Sequence, residues 1–237
     1  PMPAPAELAP HVLAAAFAHP DEPLVQIEAM GVLASLARSG RAPPLQQAQL
    51  LDALRVASAA LASPKRLAAD ANVIHSVCDL LEACLPKPDS AHAPLVHAES
   101  EAMLPALLAA LGAHPEDDEL AATAAALLSK LCAAAGALAP AITRAGGLPL
   151  SLRLARRFVN DADVAPHAVH VLRCLLSFAP REATGAFVRA HGVAAVLSTM
   201  GAHPTRIDVQ EAGVSVLWSC LLDAEGAACP DLHPRSA

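Results

Sequence analysis

A local pattern recurs five times along this chain, in which a turn marked by Pro or Asp opens an Ala/Leu-rich run with helical spacing. The clearest copies begin at His19-Pro20, His114-Pro115 and His203-Pro204, and looser copies begin at Ser63-Pro64 and Asn160-Asp161. The successive starts, Pro20, Pro64, Pro115, Asp161 and Pro204, lie 44, 51, 46 and 43 residues apart. Repeats of this length are typical of stacked helical solenoids. The sequence therefore predicts an all-α, elongated fold.

Composition agrees with tightly packed helices. Hydrophobic residues make up 54% of the chain but aromatic residues only 2%, and there is no Tyr. Helices with few aromatic residues touch through small side chains, and Ala and Leu have high helix propensity. Because stacked repeats share their cores with their neighbours, we expect one repeat domain over residues 1–222.

Two segments lack the helical pattern. Residues 223–237 contain Gly226 and two prolines without apolar periodicity, which predicts an irregular C-terminal tail. Residues 85–97 contain three prolines and predict the longest irregular connection, one that replaces or shortens a helix.

Charge and hydropathy limit the kinds of partner. The net charge of -7 argues against nucleic-acid binding, which needs clustered basic residues to displace counterions from phosphates. No stretch reaches 18 uncharged apolar residues, because residues such as Glu119, Lys130 and Arg144 interrupt the most apolar regions, so we expect no membrane insertion. The expected partners are proteins.

The cysteines indicate a reducing environment. None of the six belongs to a CxxC pair, and four lie on apolar helical faces, where cysteine behaves as a small buried hydrophobe. We therefore expect an intracellular location. They are Cys78, Cys84, Cys132, Cys174, Cys220 and Cys229.

The repeat unit is clearest in the second half of the chain. The apolar spacing predicts a short helix over residues 138–144, a second over 148–158 and a longer third over 164–178. The cycle restarts with predicted helices over residues 181–190, 193–200 and 207–222.

These residues resemble the armadillo-repeat family, whose unit has three helices and a Gly at the bend between the first two. Gly146-Gly147-Leu148-Pro149 and Gly192-Val193 stand where that Gly and the following apolar residue would be, and Asp208-Val209-Gln210-Glu211-Ala212 resembles the start of the third helix. The resemblance implies a right-handed armadillo-type superhelix of about five repeats. In the first hundred residues, HEAT-like two-helix repeats are the alternative. Gly at the bend allows positive φ and a close approach of the two helices.

The resemblance also implies a groove lined by the third helices. In family members that bind extended peptides, each third helix presents an Asn, with a Trp four residues earlier. Here the Asn positions hold Ser35, Asp79, Ser129, Cys174 and Ser219. The Trp positions hold Gly31, His75, Ala125, His170 and Ser215. Neither ladder is present, so a receptor of the nuclear-import type is not expected, whereas generic protein binding is. Trp218 is expected to pack between helices or to border the groove.

A candidate partner-binding groove follows from the same alignment. The spacing of His167, His170 and Cys174 places them on one helix face, where they could approach a metal ion, but no fourth ligand is evident and we expect no metal. A polar groove stripe is the simpler interpretation, and His protonation would make its contacts pH-sensitive. The candidate residues are His75, Asp79, Ser129, His167, His170, Cys174, Ser215, Trp218 and Ser219.

Two further features have both structural and functional interpretations. Arg153, Arg156 and Arg157 form a candidate basic patch that could dock an acidic partner segment or simply be a solvated helix face. The His residues beside the turn prolines, His19, His114 and His203, are expected to be exposed.

No catalytic motif is evident, neither a nucleophile elbow nor a phosphate-binding loop nor a His-Glu-x-x-His pair, and we expect no cofactor. The sequence favours a non-enzymatic protein-interaction scaffold, a structural subunit of a larger intracellular assembly. The alternative is a free adaptor that binds short linear peptides in the groove. An enzyme is a minor alternative, which a deep cavity with a perturbed acid or base would indicate. The expected location is the cytoplasm, with the cilium or cytoskeleton as alternatives.

Overall fold

A computed structural model describes residues 5–38, 45, 47–63, 67, 69–85, 92–134, 138–178 and 181–228. All regular structure in these ranges is α-helical, which confirms the all-α prediction. The helices are α1 (Pro5–Ala18), α2 (Pro23–Arg38), α3 (Gln47–Ala62), α4 (Ala71–Cys84), α5 (Ala93–Ala113), α6 (Asp118–Ala134), α7 (Ala139–Arg144), α8 (Gly147–Arg157), α9 (Val164–Phe178), α10 (Arg181–Arg189), α11 (Gly192–Ala202) and α12 (Ile207–Ala228).

The helices form two adjacent rows. In row A, α2 packs on α4, α4 on α6, α6 on α9, and α9 on α12. In row B, α1 packs on α3, α3 on α5, α5 on α8, and α8 on α11. Each helix of row A also contacts a helix of row B, while the short α7 and α10 pack against α9 and α12. The core therefore lies between the rows and between successive members of each row.

Small side chains allow this close stacking. Ala57 of α3, Ala125 of α6 and Ala168 of α9 are fully buried, and Leu or Ile side chains such as Ile74 and Leu172 fill the space beside them. An Ala at the contact lets two helix axes approach closely without a loss of packing density. The high Ala content thus has a direct role in the packing.

Glycine at the two predicted bends allows the two helices to approach closely. At one bend a glycine also adopts a positive φ. Gly146 between α7 and α8 has φ 93°, and a Cβ on Gly147 would lie 2.3 Å from the Ile142 side chain. Between α10 and α11, His191 takes the positive φ of 55° and Gly192 provides the close approach, since a Cβ there would lie 2.3 Å from the Phe187 ring. At this second bend the Gly is needed for space rather than for φ.

Two boundary predictions were wrong. The tail was expected to begin at residue 223, but α12 continues to Ala228, because Ala and Glu favour the helix and Gly226 alone costs only about 1 kcal/mol. Residues 229–237 lie outside the described residues. The irregular connection was expected over residues 85–97, but α5 already begins at Ala93 with a Pro in its first turn, where the missing N–H costs nothing. The predicted turn at Pro64 lies outside the described residues.

No described helix is long and apolar enough to cross a lipid bilayer.

Candidate functional site

A polar depression lies where α6, α9 and the start of α12 meet in row A. Ser129, His167 and His170, all predicted groove residues, line it together, and its volume is about 280 Å³. The remaining polar lining comes from Asp163, Arg206 and Asp208 at the N-terminal ends of α9 and α12. The depression therefore offers both hydrogen-bonding and charged groups.

Arg206 and Asp208 form a fixed ion pair at the rim of this depression. Arg206 Nε donates to Asp208 Oδ1 at 3.0 Å and Nη2 donates to Oδ2 at 2.6 Å. Arg206 Nη1 also donates to the carbonyl oxygen of Ala162 at 3.0 Å, which ties the start of α12 to the turn before α9. The hydrogen bonds from Arg206 lower the pKa of Asp208 to about 2.

His167 contributes a neutral polar group at pH 7. Partial burial lowers the pKa of His167, and the nearby His170 and Lys130 lower it further, outweighing the opposite effect of Glu82 and Asp163. A neutral imidazole presents one donor and one acceptor, as a peptide backbone does. Below its lowered pKa His167 gains a charge, so contacts made through it would be pH-dependent.

Cys174 lies behind the histidines, close to a second cysteine. Its Sγ is 3.6 Å from His170 Nε2, and it shares a hydrogen bond with Cys132 of α6. That hydrogen bond lowers the pKa of Cys174 and raises the pKa of Cys132, and burial raises the Cys132 pKa further. The part of the chain that the structure describes contains no group of three or more His, Cys, Asp or Glu side chains arranged to hold a metal ion.

A second depression of about 230 Å³ lies between α4 and α6. His75 lines it, with Asn72 and Ser76 from α4 and Asp117 and Glu119 from the start of α6. His75 Nδ1 is 3.3 Å from Thr123 Oγ1 across the two helices. The predicted groove residue Asp79 does not line it, because an ion pair with Arg38 of α2 holds its carboxylate at 3.1 Å.

The three predicted groove residues of α12 lie apart from both depressions. Ser215 and Ser219 are half-buried and linked to each other, since Ser219 Oγ donates to the carbonyl oxygen of Ser215 at 3.1 Å. Trp218 was expected to pack between helices or to border the groove, but 61% of it is exposed on α12. No described helix covers that face of α12, so the Trp218 side chain is exposed to solvent.

The candidate basic patch on α8 is partly taken up by contacts within the chain. Arg157 pairs with Glu116 at 3.0 Å and Asp118 at 2.8 Å, and its guanidinium lies 5.3 Å from the Phe158 ring centroid. Arg156 donates to the carbonyl oxygen of Ala190. Arg153 is exposed. Two of the three arginines thus tie α8 to neighbouring turns.

His203 is buried, contrary to the prediction for turn histidines. Its Nε2 lies 2.9 Å from the carbonyl oxygen of Val159 and donates to it, whereas His19 is exposed as expected and His114 is half-buried. The sequence could not distinguish them, because all three are followed by Pro at the same point of the turn.

Sequence reasoning missed the charged residues at the N-terminal ends of the row A helices. Asp118, Asp163 and Asp208 lie at the starts of three successive row A helices, and the last two line the first depression. An Asp that recurs at a helix start is usually explained by the helix dipole, which hid its place in the depression.

Neither family models nor curated proteins nor solved structures give a match to this chain.

Proposed function

We propose that this chain is a non-enzymatic protein-interaction scaffold of the armadillo type, which serves as a structural subunit of a larger intracellular assembly. In this proposal residues 1–222 form a right-handed superhelix of about five repeats. The observation that carries it is the apolar outer face of α12, the last described helix of row A. Val214, Trp218 and Leu221 are 59%, 61% and 58% exposed on that face.

An exposed apolar face of this kind supports a subunit better than a free monomer. Large exposed apolar patches mark interaction surfaces, and the ends of stacked repeats need polar caps when they face water. On α12 the apolar side chains follow one another at helical spacing, so they form a stripe rather than scattered exposed residues. Burial of such a stripe by a partner would be favourable at about 25 cal/mol per Å² of apolar surface.

Native purification tests the proposal. The tagged protein would be isolated from its own cells and separated by size, and the co-eluting proteins would be quantified by mass spectrometry. We expect constant partners in a fixed ratio, lost in a Trp218→Glu variant and kept in a Phe178→Glu variant, which alters an equally exposed apolar residue at the end of α9. A protein that elutes without stoichiometric partners contradicts the subunit function.

The polar depression between α6, α9 and α12 favours a second candidate, an adaptor for short linear peptides. Neutral His167 suits a peptide backbone, and Asp163 and Asp208 favour a peptide with Lys or Arg. Fluorescence anisotropy with labelled peptides that differ in one Lys-to-Glu exchange tests this directly. We expect the Lys peptide to bind more tightly and Asp163→Asn to weaken it, while Asp52→Asn on row B has no effect; equal binding of both peptides contradicts the adaptor.

The proposal includes two further elements: partners that are proteins instead of nucleic acid or membrane, and a location in a reducing compartment. The net charge of -7 supports the first of these. Cys78, Cys84, Cys132 and Cys174 are buried free thiols, which is compatible with the second. The cytoplasm, cilium and cytoskeleton are the locations in which such a subunit would be sought.

A further inference from the structure

The exposed apolar side chains collect towards the two ends of the helix rows. Among the described residues, helices α3 to α8 expose no large apolar side chain, whereas α1 and α2 at one end and α10 to α12 at the other expose most of them. The exposed residues are Phe17, Leu24, Val32, Phe178, Val188, Leu197, Ile207, Val214, Trp218, Leu221 and Leu222. The apolar surface therefore coincides with the places where the described part of the chain provides no neighbouring helix.

The row A helices show which side each end leaves uncovered. In α9, inside the row, Val169 and Val171 are both buried, so each side of the helix has a neighbour. In α2, the counterpart of Val169 is Met30, which is buried, while the counterpart of Val171 is Val32, which is 37% exposed. Among the described residues, no helix lies against that side of α2.

The α12 helix shows the opposite arrangement. Val216, the counterpart of Val32, is fully buried, and Val214, the counterpart of Met30, is 59% exposed. The same holds two turns further, where Leu176 is buried and its counterpart Leu221 is 58% exposed. No described helix lies against that side of α12, so in the described part of the chain the two ends leave opposite halves of the same contact uncovered.

The uncovered face beside α2 forms a shallow, open apolar groove. Helices α1 and α2 border a cavity of about 390 Å³. Its lining is Val12, Ala15, Leu24, Val25, Ala29 and Val32, with Glu28 at its edge. A groove of this kind can receive a large apolar side chain such as Trp218.

The polar contacts at the row junctions fit the same pairing. Within the row, Arg38 of α2 pairs with Asp79 of α4, and at the equivalent position Glu82 of α4 pairs with Lys130 of α6. The equivalent position on α12 is Leu222, which is 51% exposed. Because this position on α12 holds an apolar residue, a junction between α12 and the α2 groove would not bury a charged group that lacks its ion-pair partner.

We propose that a second copy of the chain stacks head to tail on the first, with the outer face of α12 in one copy against the α1–α2 groove of the other. This inference rests on the proposed function as an assembly subunit and names its first partner. The contact repeats between chains the contact that α9 and α12 make within one chain. Because the two faces differ, the contact does not close on itself, and further copies add at both ends.

The test uses the full purified chain and analytical ultracentrifugation over a wide concentration range. We expect the mass to rise with concentration through multiples of 24.2 kDa. Trp218→Glu blocks the α12 face, Val32→Glu blocks the groove, and each variant alone should be monomeric. Mixing the two should give a one-to-one dimer and nothing larger, since each retains the face that the other has lost. Phe178→Glu, the control for an exposed apolar residue outside both faces, should assemble like the unaltered chain.

Three results overturn the proposal. The unaltered chain is monomeric at all concentrations, or the mixture of the two variants does not dimerise, or a chain ending at Ala228 assembles while the full chain does not, which would make residues 229–237 the occupant. The proposed function is read separately from native purification. Stoichiometric partners around a chain that does not self-associate would retain the subunit function and reject the second copy. Self-association without other co-purifying proteins would retain the second copy and reject an assembly with other proteins.

Discussion

Gln26 and Gln210 make the same pair of hydrogen bonds at opposite ends of row A. Gln26 Nε2 donates to the carbonyl oxygens of Ala16 and His19 at 2.8 and 2.9 Å, ten and seven residues earlier. Gln210 Nε2 donates to the carbonyl oxygens of Met200 and His203 at 2.8 and 3.1 Å, again ten and seven residues earlier. Each amide thereby satisfies two carbonyl groups at the C-terminal end of the preceding row B helix. The first and last units are thus alike in hydrogen bonding as well as in sequence.

Replacement of Gln26 by Ala should lower the free energy of unfolding by about 1–3 kcal/mol, because two carbonyl groups lose a buried donor. Gln210→Ala should cost less, since Gln210 is only half-buried. Urea denaturation followed by circular dichroism measures both. Gln47→Ala, an exposed Gln at the start of α3, is the matched control, and an equal loss in this control would contradict a specific role for Gln26.

Gly192→Ala should destabilise the protein, because the added Cβ would lie 2.3 Å from the buried Phe187 ring. We expect a loss of about 1–3 kcal/mol in the free energy of unfolding. Gly201→Ala on the same helix is the control, since a Cβ there meets nothing within 4 Å and Ala favours the helix by about 1 kcal/mol. A Gly201→Ala protein no more stable than the Gly192→Ala protein would contradict the close contact between residue 192 and the Phe187 ring.

Asp161 caps α9, and its removal should destabilise that helix. Its Oδ1 accepts hydrogen bonds from the backbone N–H groups of Asp163 and Val164 at 2.8 and 2.9 Å, which lower the pKa of Asp161. Asp161→Ala should cost about 1 kcal/mol, whereas Asp161→Asn keeps an acceptor and should retain most of the stability. Thermal unfolding distinguishes the two. Equal losses would show that the negative charge, rather than the hydrogen bonds, matters.

The pKa of Asp208 should lie about 2, and it should rise towards the ordinary Asp value of about 3.9 in an Arg206→Gln variant. A carboxyl group with a lowered folded-state pKa stabilises the fold above its unfolded-state pKa. The contribution is lost as the pH falls from about 3.9 through about 2. NMR titration of the side-chain carboxyl carbon measures this pKa in both proteins. The pair is exposed, so added salt should weaken the shift; an unchanged pKa in Arg206→Gln would assign the shift to another cause.

Helix positions in the second half of the chain could be predicted because their causes are local. The apolar spacing gave the bounds of α9 as the structure has them, Val164–Phe178, and the glycines marked both bends. The candidate groove was only partly predictable. Ser129, His167 and His170 come together as helical spacing and the repeat alignment indicate, whereas Asp163 and Arg206 enter the depression through turns whose path depends on the next helix.

Val214 and Val216 show what the sequence alone could not determine. They are the same residue type, two positions apart on one helix, yet one is 59% exposed and the other is fully buried. In the same way, Arg157 finds its acidic partners Glu116 and Asp118 only because α8 packs beside the turn before α6. By itself the sequence determined that the chain forms helices and where their turns lie, because backbone propensity and periodicity act over a few residues. Which side of each helix is covered was decided by the tertiary structure, because burial depends on neighbours that are distant in the chain.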